Sequence, residues 1–304
     1  MSASPVQPQV MVLMLVPAAA MAVIAFTVSY WPVLAELVNR WSEQPDYSHG
    51  FMVPPLAAML LWLRRDSFPG LARRIDWWGM SLIGLSGLMR IVAAWGYFES
   101  IGGWSIPVWV AGVTWLFCGR SVLLWAAPAV VFLGFMVPLP FRIEGMLSRP
   151  LQRIATQASC FALQSMGLPA LAEGNTILLG SSHFEVEEAC SGLRIFMATI
   201  ALAFACVVIV RRSWWERALL LASAIPIALL ANSLRIVATG SLSQVLSSET
   251  ARWFAHDLSG WAMIPVAAGM FGLVWLYLRY LIRDLEQADA RLLVRARQAA
   301  PGRK

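Results

Sequence analysis

Apolar residues run along this chain in long blocks, each closed by a short polar or basic patch. Eight blocks stand out: Val10–Tyr30, Phe51–Leu63, Trp77–Phe98, Ile101–Phe117, Val122–Leu139, Leu193–Val210, Ala218–Thr239 and Gly260–Leu281. A helix needs roughly 20 apolar residues to cross the hydrocarbon core of a bilayer, and most blocks approach that length. The second is shorter and extends back over Tyr47–Gly50 if its polar flank is included. Between the fifth and sixth blocks the period changes. Ile143, Leu147, Leu151, Ile154, Ala158 and Ala162 recur at helical spacing against Arg149, Gln152, Arg153 and Gln157, which predicts an amphipathic helix on the membrane surface. The following NTILLGSSHFEVEEA predicts a small hairpin turning at Gly180–Ser182. The expected fold is an all-α polytopic membrane protein of about eight transmembrane helices. The amphipathic surface helix and the β-hairpin precede the sixth. Residues 1–30 form an N-terminal segment with the first transmembrane helix, 31–282 the main transmembrane domain, and 283–304 a basic tail.

Composition supports the membrane reading. The chain is 59% hydrophobic and 13% charged over 304 residues, and its mean hydropathy is +0.67. The first block lacks a basic flank and no clear small-residue cleavage site follows it, so it is expected to be retained as a span. The net charge of +6 is not a nucleic-acid footprint, because no basic stripe interleaved with aromatics lies on a soluble element. Most of the basic residues instead cluster between alternate blocks. Arg64, Arg65, Arg73 and Arg74 follow the second, Arg120 the fourth, Arg211, Arg212 and Arg217 the sixth, and Arg279 with the tail closes the chain. Cytoplasmic loops collect Lys and Arg, so both termini are expected in the cytoplasm. Tyr30–His49, Glu99, Pro140–Gly192 and Gly240–Ser259 then lie outside, with Arg142, Arg149 and Arg153 counting against that orientation.

Candidate chemistry gathers on the outer side. In EVEEACSGLRIF, Cys190 sits where the acidic hairpin exit meets the sixth block. A helix N-terminus carries partial positive charge and lowers a thiol's pKa; Arg194 one turn on adds to this, and Glu185, Glu187 and Glu188 oppose it. The blander readings are a half-buried thiol or a disulfide with Cys160. Cys118 and Cys206 read as packing residues. Arg235, near the outer end of the seventh block, is costly in lipid unless it faces protein or water; Asn232, one turn earlier, can orient it. His256 falls at the start of the eighth block. Cys190, Arg235 and His256 therefore reach one interface layer. A thiolate, a guanidinium and an imidazole at one depth suit acyl transfer: attack, oxyanion stabilisation and protonation of the leaving amine. An ion pair for Arg235 and a helix cap for His256 are the structural alternatives.

With these residues in view, the chain resembles the exosortase/archaeosortase family of polytopic membrane cysteine transpeptidases. The A-C-S-G of Ala189–Gly192, the N-x-x-R of Asn232–Arg235 and the histidine motif of His256–Gly260 are similar to that family's motifs. DYSHGFMVP and FMVPLPF also resemble it, over about Trp31–Tyr280. The resemblance implies Cys190, Arg235 and His256 as catalytic residues of a thiol protease or transpeptidase in a bacterial inner membrane, with the active site on the periplasmic face. It implies as substrates secreted proteins with a C-terminal sorting tail: a short motif (Pro-Glu-Pro in many systems, PEP-CTERM-like), a transmembrane helix and a basic cluster. It also implies transfer to an envelope acceptor.

His183 is a rival base, seven positions before Cys190, and His49 shapes the substrate mouth or caps the second span. No H-E-x-x-H or clustered Cys/His spacing points to a metal, and no cofactor is expected. Arg90, inside the third block, is expected to pair with Glu99 or line a groove. Trp77, Trp78, Trp214, Trp215 and Trp261 read as interfacial anchors. A transporter would place polar groups at the midplane. Another membrane acyltransferase using a cysteine acyl-enzyme is the alternative, but Lys304 is the only lysine available to a carboxylate-and-lysine catalytic domain.

Overall fold

A computed structural model describes residues 8–72, 75–179, 182–185, 192–209, 213–245 and 259–281. The described elements are α1 (Pro8–Glu43), α2 (Val53–Leu63), α3 (Gly79–Gly96), α4 (Glu99–Cys118), α5 (Arg120–Phe132), α6 (Phe141–Ser165), β1 (Ala170–Glu173), β2 (Thr176–Leu179), β3 (Ser182–Glu185), α7 (Gly192–Ile209), α8 (Trp214–Ala222), α9 (Ala224–Val245) and α10 (Ser259–Leu281). 3-10 turns at Pro45–Met52 and Leu133–Met136 lead into α2 and out of α5.

The helices follow the apolar blocks, with corrections. Gly79–Gly96, Glu99–Cys118 and the nearly continuous α8–α9, Trp214–Leu242, are long and apolar enough to cross a membrane. A fourth crossing is possible if α5 and α6 are taken together across their 84° bend. The eight expected spans are therefore not all matched by described helices: α2 has only 11 residues, and the apolar run of α7 covers Ile195–Ile209. The fifth block breaks early because Pro138 and Pro140 cannot continue a helix. In contrast, α1 passes unbroken through Tyr30 to Glu43.

Two regions carry the packing. α3 and α4 form a close helical hairpin. A Cβ on Gly79 would lie 2.4 Å from the Leu116 amide nitrogen, and one on Gly112 would lie 2.9 Å from that of Ile83; only glycine permits this approach. Asp76 fixes the entry to α3, accepting from the Trp78 amide at 3.2 Å and from the Trp115 indole at 2.8 Å. The second region centres on α7, which touches α2, α5, α6, α8, α9, α10 and the Pro45–Met52 turn. Its Ile195, Phe196 and Met197 join Ala228 and Ala231 of α9, Met263 of α10, and Tyr47 and Val53 in one apolar cluster.

The surface helix is present as α6, but its orientation differs from expectation. Gln152, Ala155, Thr156, Ser159, Cys160 and Leu163 are buried, whereas Ile143 and Ile154 of the predicted apolar stripe are exposed. α6 turns its small and polar face to α9 and its large apolar residues outward. Small residues at an interface let helices approach in lipid, where an exposed apolar face carries no penalty. The hairpin is also larger than predicted: β1, β2 and β3 form an antiparallel sheet in that order, with Ile177 opposite Phe184 and Leu178 opposite His183.

Candidate functional site

The sheet docks beside Arg235. Ile177 and Leu179 of β2 are buried against Ile236 of α9 and Leu163 of α6. β2 pairs with β3, which ends at Glu185, five residues before Cys190. α9 continues nine residues beyond Ile236 to Val245, so Arg235 lies farther from its helix end than the apolar block predicts. The docked sheet nevertheless puts β2, with β3 paired to it, against this stretch of α9. Arg235 is 6% exposed and Asn232 is 3% exposed. Ser159 donates to the Ser233 carbonyl at 3.3 Å and ties α6 to this stretch. The Asn232 Oδ1 accepts no hydrogen bond among the described residues. Burying such a group typically costs about 1–3 kcal/mol.

A polar seam surrounds these two residues. Gln152, Thr156 and Ser159 recur on one face of α6; Asn232, Arg235 and Thr239 do so on α9, and all six are buried. Gln152 accepts from the Asn175 amide at 3.1 Å, fastening the β1–β2 turn to α6. Sequence reasoning missed the α6 half of the seam, treating Gln152 as part of a solvated face. The signal was there in the i, i+4, i+7 recurrence of small and polar side chains.

Cys190 and His256 lie outside the described residues. Arg194 belongs to the first turn of α7 and His183 to β3; His183 is paired with Leu178, not with the inward-facing Ile177 or Leu179. Cys160 is a free, buried thiol and so is not in a disulfide with Cys190.

His49 is in the 3-10 turn that runs into α2. Its Nδ1 lies 3.0 Å from the Asp46 carbonyl oxygen and its Nε2 3.1 Å from that of Phe135. Carbonyls only accept, and a neutral imidazole has one N–H, so the doubly protonated ring alone makes both bonds. The same turn is held by Trp41, whose indole donates to the Met136 carbonyl at 2.9 Å. A Cβ on Gly50 would come within 2.3 Å of that indole. Tyr47 donates to Glu144 at 3.0 Å, joining the turn to the start of α6. Burial, and then the Glu144 carboxylate, push the Tyr47 phenol above its ordinary pKa.

Arg90 lines a groove, as one of its two expectations had it, but it is not paired with Glu99. Glu99 binds Arg40, which also binds Glu36 at 3.0 Å, whereas the Arg90 guanidinium lies 4.8 Å from the Tyr30 ring centroid. Trp77, Trp78, Trp214 and Trp215 are exposed at helix starts, as interfacial anchors are; the Trp261 side chain lies outside the described residues.

No curated protein and no solved structure matches the chain. The family model for transmembrane exosortase matches residues 41–273, more than three-quarters of its length and all of the elements from the Pro45 turn to α9. Together with its apolar membrane-length helices, this makes the protein a membrane protein with a transpeptidase-type role: the chain belongs to the transmembrane exosortase family.

Proposed function

We propose that this protein is a membrane-embedded cysteine protease and transpeptidase. It cleaves C-terminal sorting signals of secreted proteins at the outer face of the bacterial inner membrane and transfers the product to an envelope acceptor. Its termini are cytoplasmic. The observation that carries this reading is the buried Arg235 beside the docked sheet that leads to Cys190. A buried guanidinium in a membrane helix is expensive unless it is used. The apolar cluster shared by α7, α9 and α10 supports the same reading, because it joins the three helices that carry or follow the three candidates.

In the proposed reaction, the Cys190 thiolate attacks the scissile carbonyl carbon and forms a carbon–sulfur bond. Arg235 stabilises the oxyanion; Asn232, one turn before it, keeps a buried Oδ1 that accepts no hydrogen bond among the described residues. The tetrahedral intermediate collapses as the carbon–nitrogen bond breaks, and His256 gives its proton to the leaving amine. The acceptor's nucleophile then attacks the thioester and regenerates the thiolate. Arg194 supports the thiolate from the first turn of α7.

The test is processing of a protein bearing a sorting tail in cells. Cys190→Ala is expected to abolish processing and Cys160→Ala to leave most of it. Equal processing by the two variants would make Cys190 a structural residue.

A further inference from the structure

Formed by other elements than those of the proposed catalytic residues, a cavity of about 300 Å³ lies between α1, α3 and α4. Four charged side chains line it: Glu36, Arg40, Arg90 and Glu99. They are not evenly distributed. Both carboxylates bind Arg40, so that group carries a net negative charge. Among the described residues Arg90 has no carboxylate within ion-pair distance; its one described partner is the face of Tyr30. Arg90 is also the deeper of the two poles. It lies six residues before the end of α3, about 9 Å along the helix axis, whereas Glu99 opens α4 at the turn between the helices.

Most of the rest of the wall is apolar, including Val33, Leu37 and Ala93, with Tyr97 and Ser100 adding hydroxyls. Outside it, Val28, Trp31, Leu88, Ile91 and Trp95 are exposed, a surface suited to acyl chains. A guanidinium held in a membrane-length helix is costly without a counter-charge, and it matches phosphate oxygens with a planar fork of donors.

We propose that this cavity holds a phospholipid, its phosphate on Arg90 and its tails along the exposed faces of α1 and α3. The negative group at the rim selects a headgroup with an amine. In such a lipid the ammonium lies outside the phosphate, in the same order as the two poles of the cavity. The elements that form the site carry none of Cys190, Arg235 or His256, so the lipid is a retained component of the folded protein.

The test is native mass spectrometry of the full chain in mild detergent, titrated with phosphatidylethanolamine, phosphatidylglycerol or inorganic phosphate. The wild type should retain one phosphatidylethanolamine. Arg90→Met should weaken binding roughly tenfold to a hundredfold, the value of a charge-assisted hydrogen bond. Ala93→Trp, which keeps the charge but fills the cavity, should weaken it as well. If Arg90→Met does not fold, Arg90→Lys takes its place and should bind more weakly than wild type. Undiminished retention in both the arginine and the Ala93→Trp variants would overturn the site. Displacement of the lipid by millimolar inorganic phosphate would overturn a lipid as its occupant, and stronger retention of phosphatidylglycerol would overturn the amine selection.

Discussion

The α3–α4 hairpin and the α6–α7–α9 region solve the membrane problem in opposite ways. In the first, glycines bring two backbones together, and the charged groups sit in a cavity at its flank. In the second, three uncharged polar residues of α6 and, on α9 packed beside it, Asn232, Arg235 and Thr239 are all buried, and one buried acceptor on Asn232 has no bond among the described residues. Close packing of small residues gives stability and asks nothing more. Buried polar groups cost free energy unless satisfied, so the second region is where chemistry is expected.

The sharpest break in this contrast is Cys190→Ala, which should remove all processing, whereas Cys160→Ala perturbs only the packing of a free thiol. Arg235→Ala should follow, slowing acyl transfer by about 10²–10³, the usual cost of losing one oxyanion donor. Arg235→Lys should rescue poorly because it loses the planar fork. His256→Ala should slow the reaction by about 10²–10⁴. An ester analogue whose leaving group needs no proton should recover activity in His256→Ala but not in Arg235→Ala; equal recovery would show the two roles assigned wrongly. Loss of activity in His183→Ala, with none in His256→Ala, would move the base to β3.

In the first region the expected effect is on stability. Gly112→Leu should destabilise by about 1–3 kcal/mol through overpacking against Ile83, read as a lower midpoint of thermal unfolding. Processing per folded molecule should be unchanged. A selective loss of turnover without loss of stability would erase the distinction between the regions.

The smallest effect concerns Tyr47. Its phenol is held neutral in the fold, and an unfolded chain ionises it near pH ~10. The contribution is therefore complete below that pH and is lost as pH rises further, toward the raised folded value. Tyr47→Phe should remove this alkaline component of unfolding; an unchanged profile would mean that burial beside Glu144 does not hold the phenol neutral.

Much of this was legible in the sequence. Apolar block lengths predict α3, α4 and α9 because each is a near-continuous apolar run, and the turn signal at Gly180–Ser182 predicts β2 and β3. The face of α6 was misread for a physical reason: in lipid, large apolar residues face outward and small polar ones inward, the reverse of an amphipathic helix in water. β1 was missed because Ala170–Glu173 holds no β-branched or aromatic residue to mark it as a strand. The Arg40–Glu99 pair joins residues 59 positions apart, which no local pattern reveals. Arg235 was found because a charge inside an apolar block is visible without any fold.

The central claim is a covalent intermediate on Cys190. It is tested most directly by intact-protein and peptide mass spectrometry after incubating the purified enzyme with a sorting-tail substrate and no acceptor. The account predicts a hydroxylamine-sensitive thioester on Cys190 carrying the substrate's N-terminal portion, absent from Cys190→Ala. Processing that continues with no adduct on Cys190, or with the adduct on another residue, would contradict it.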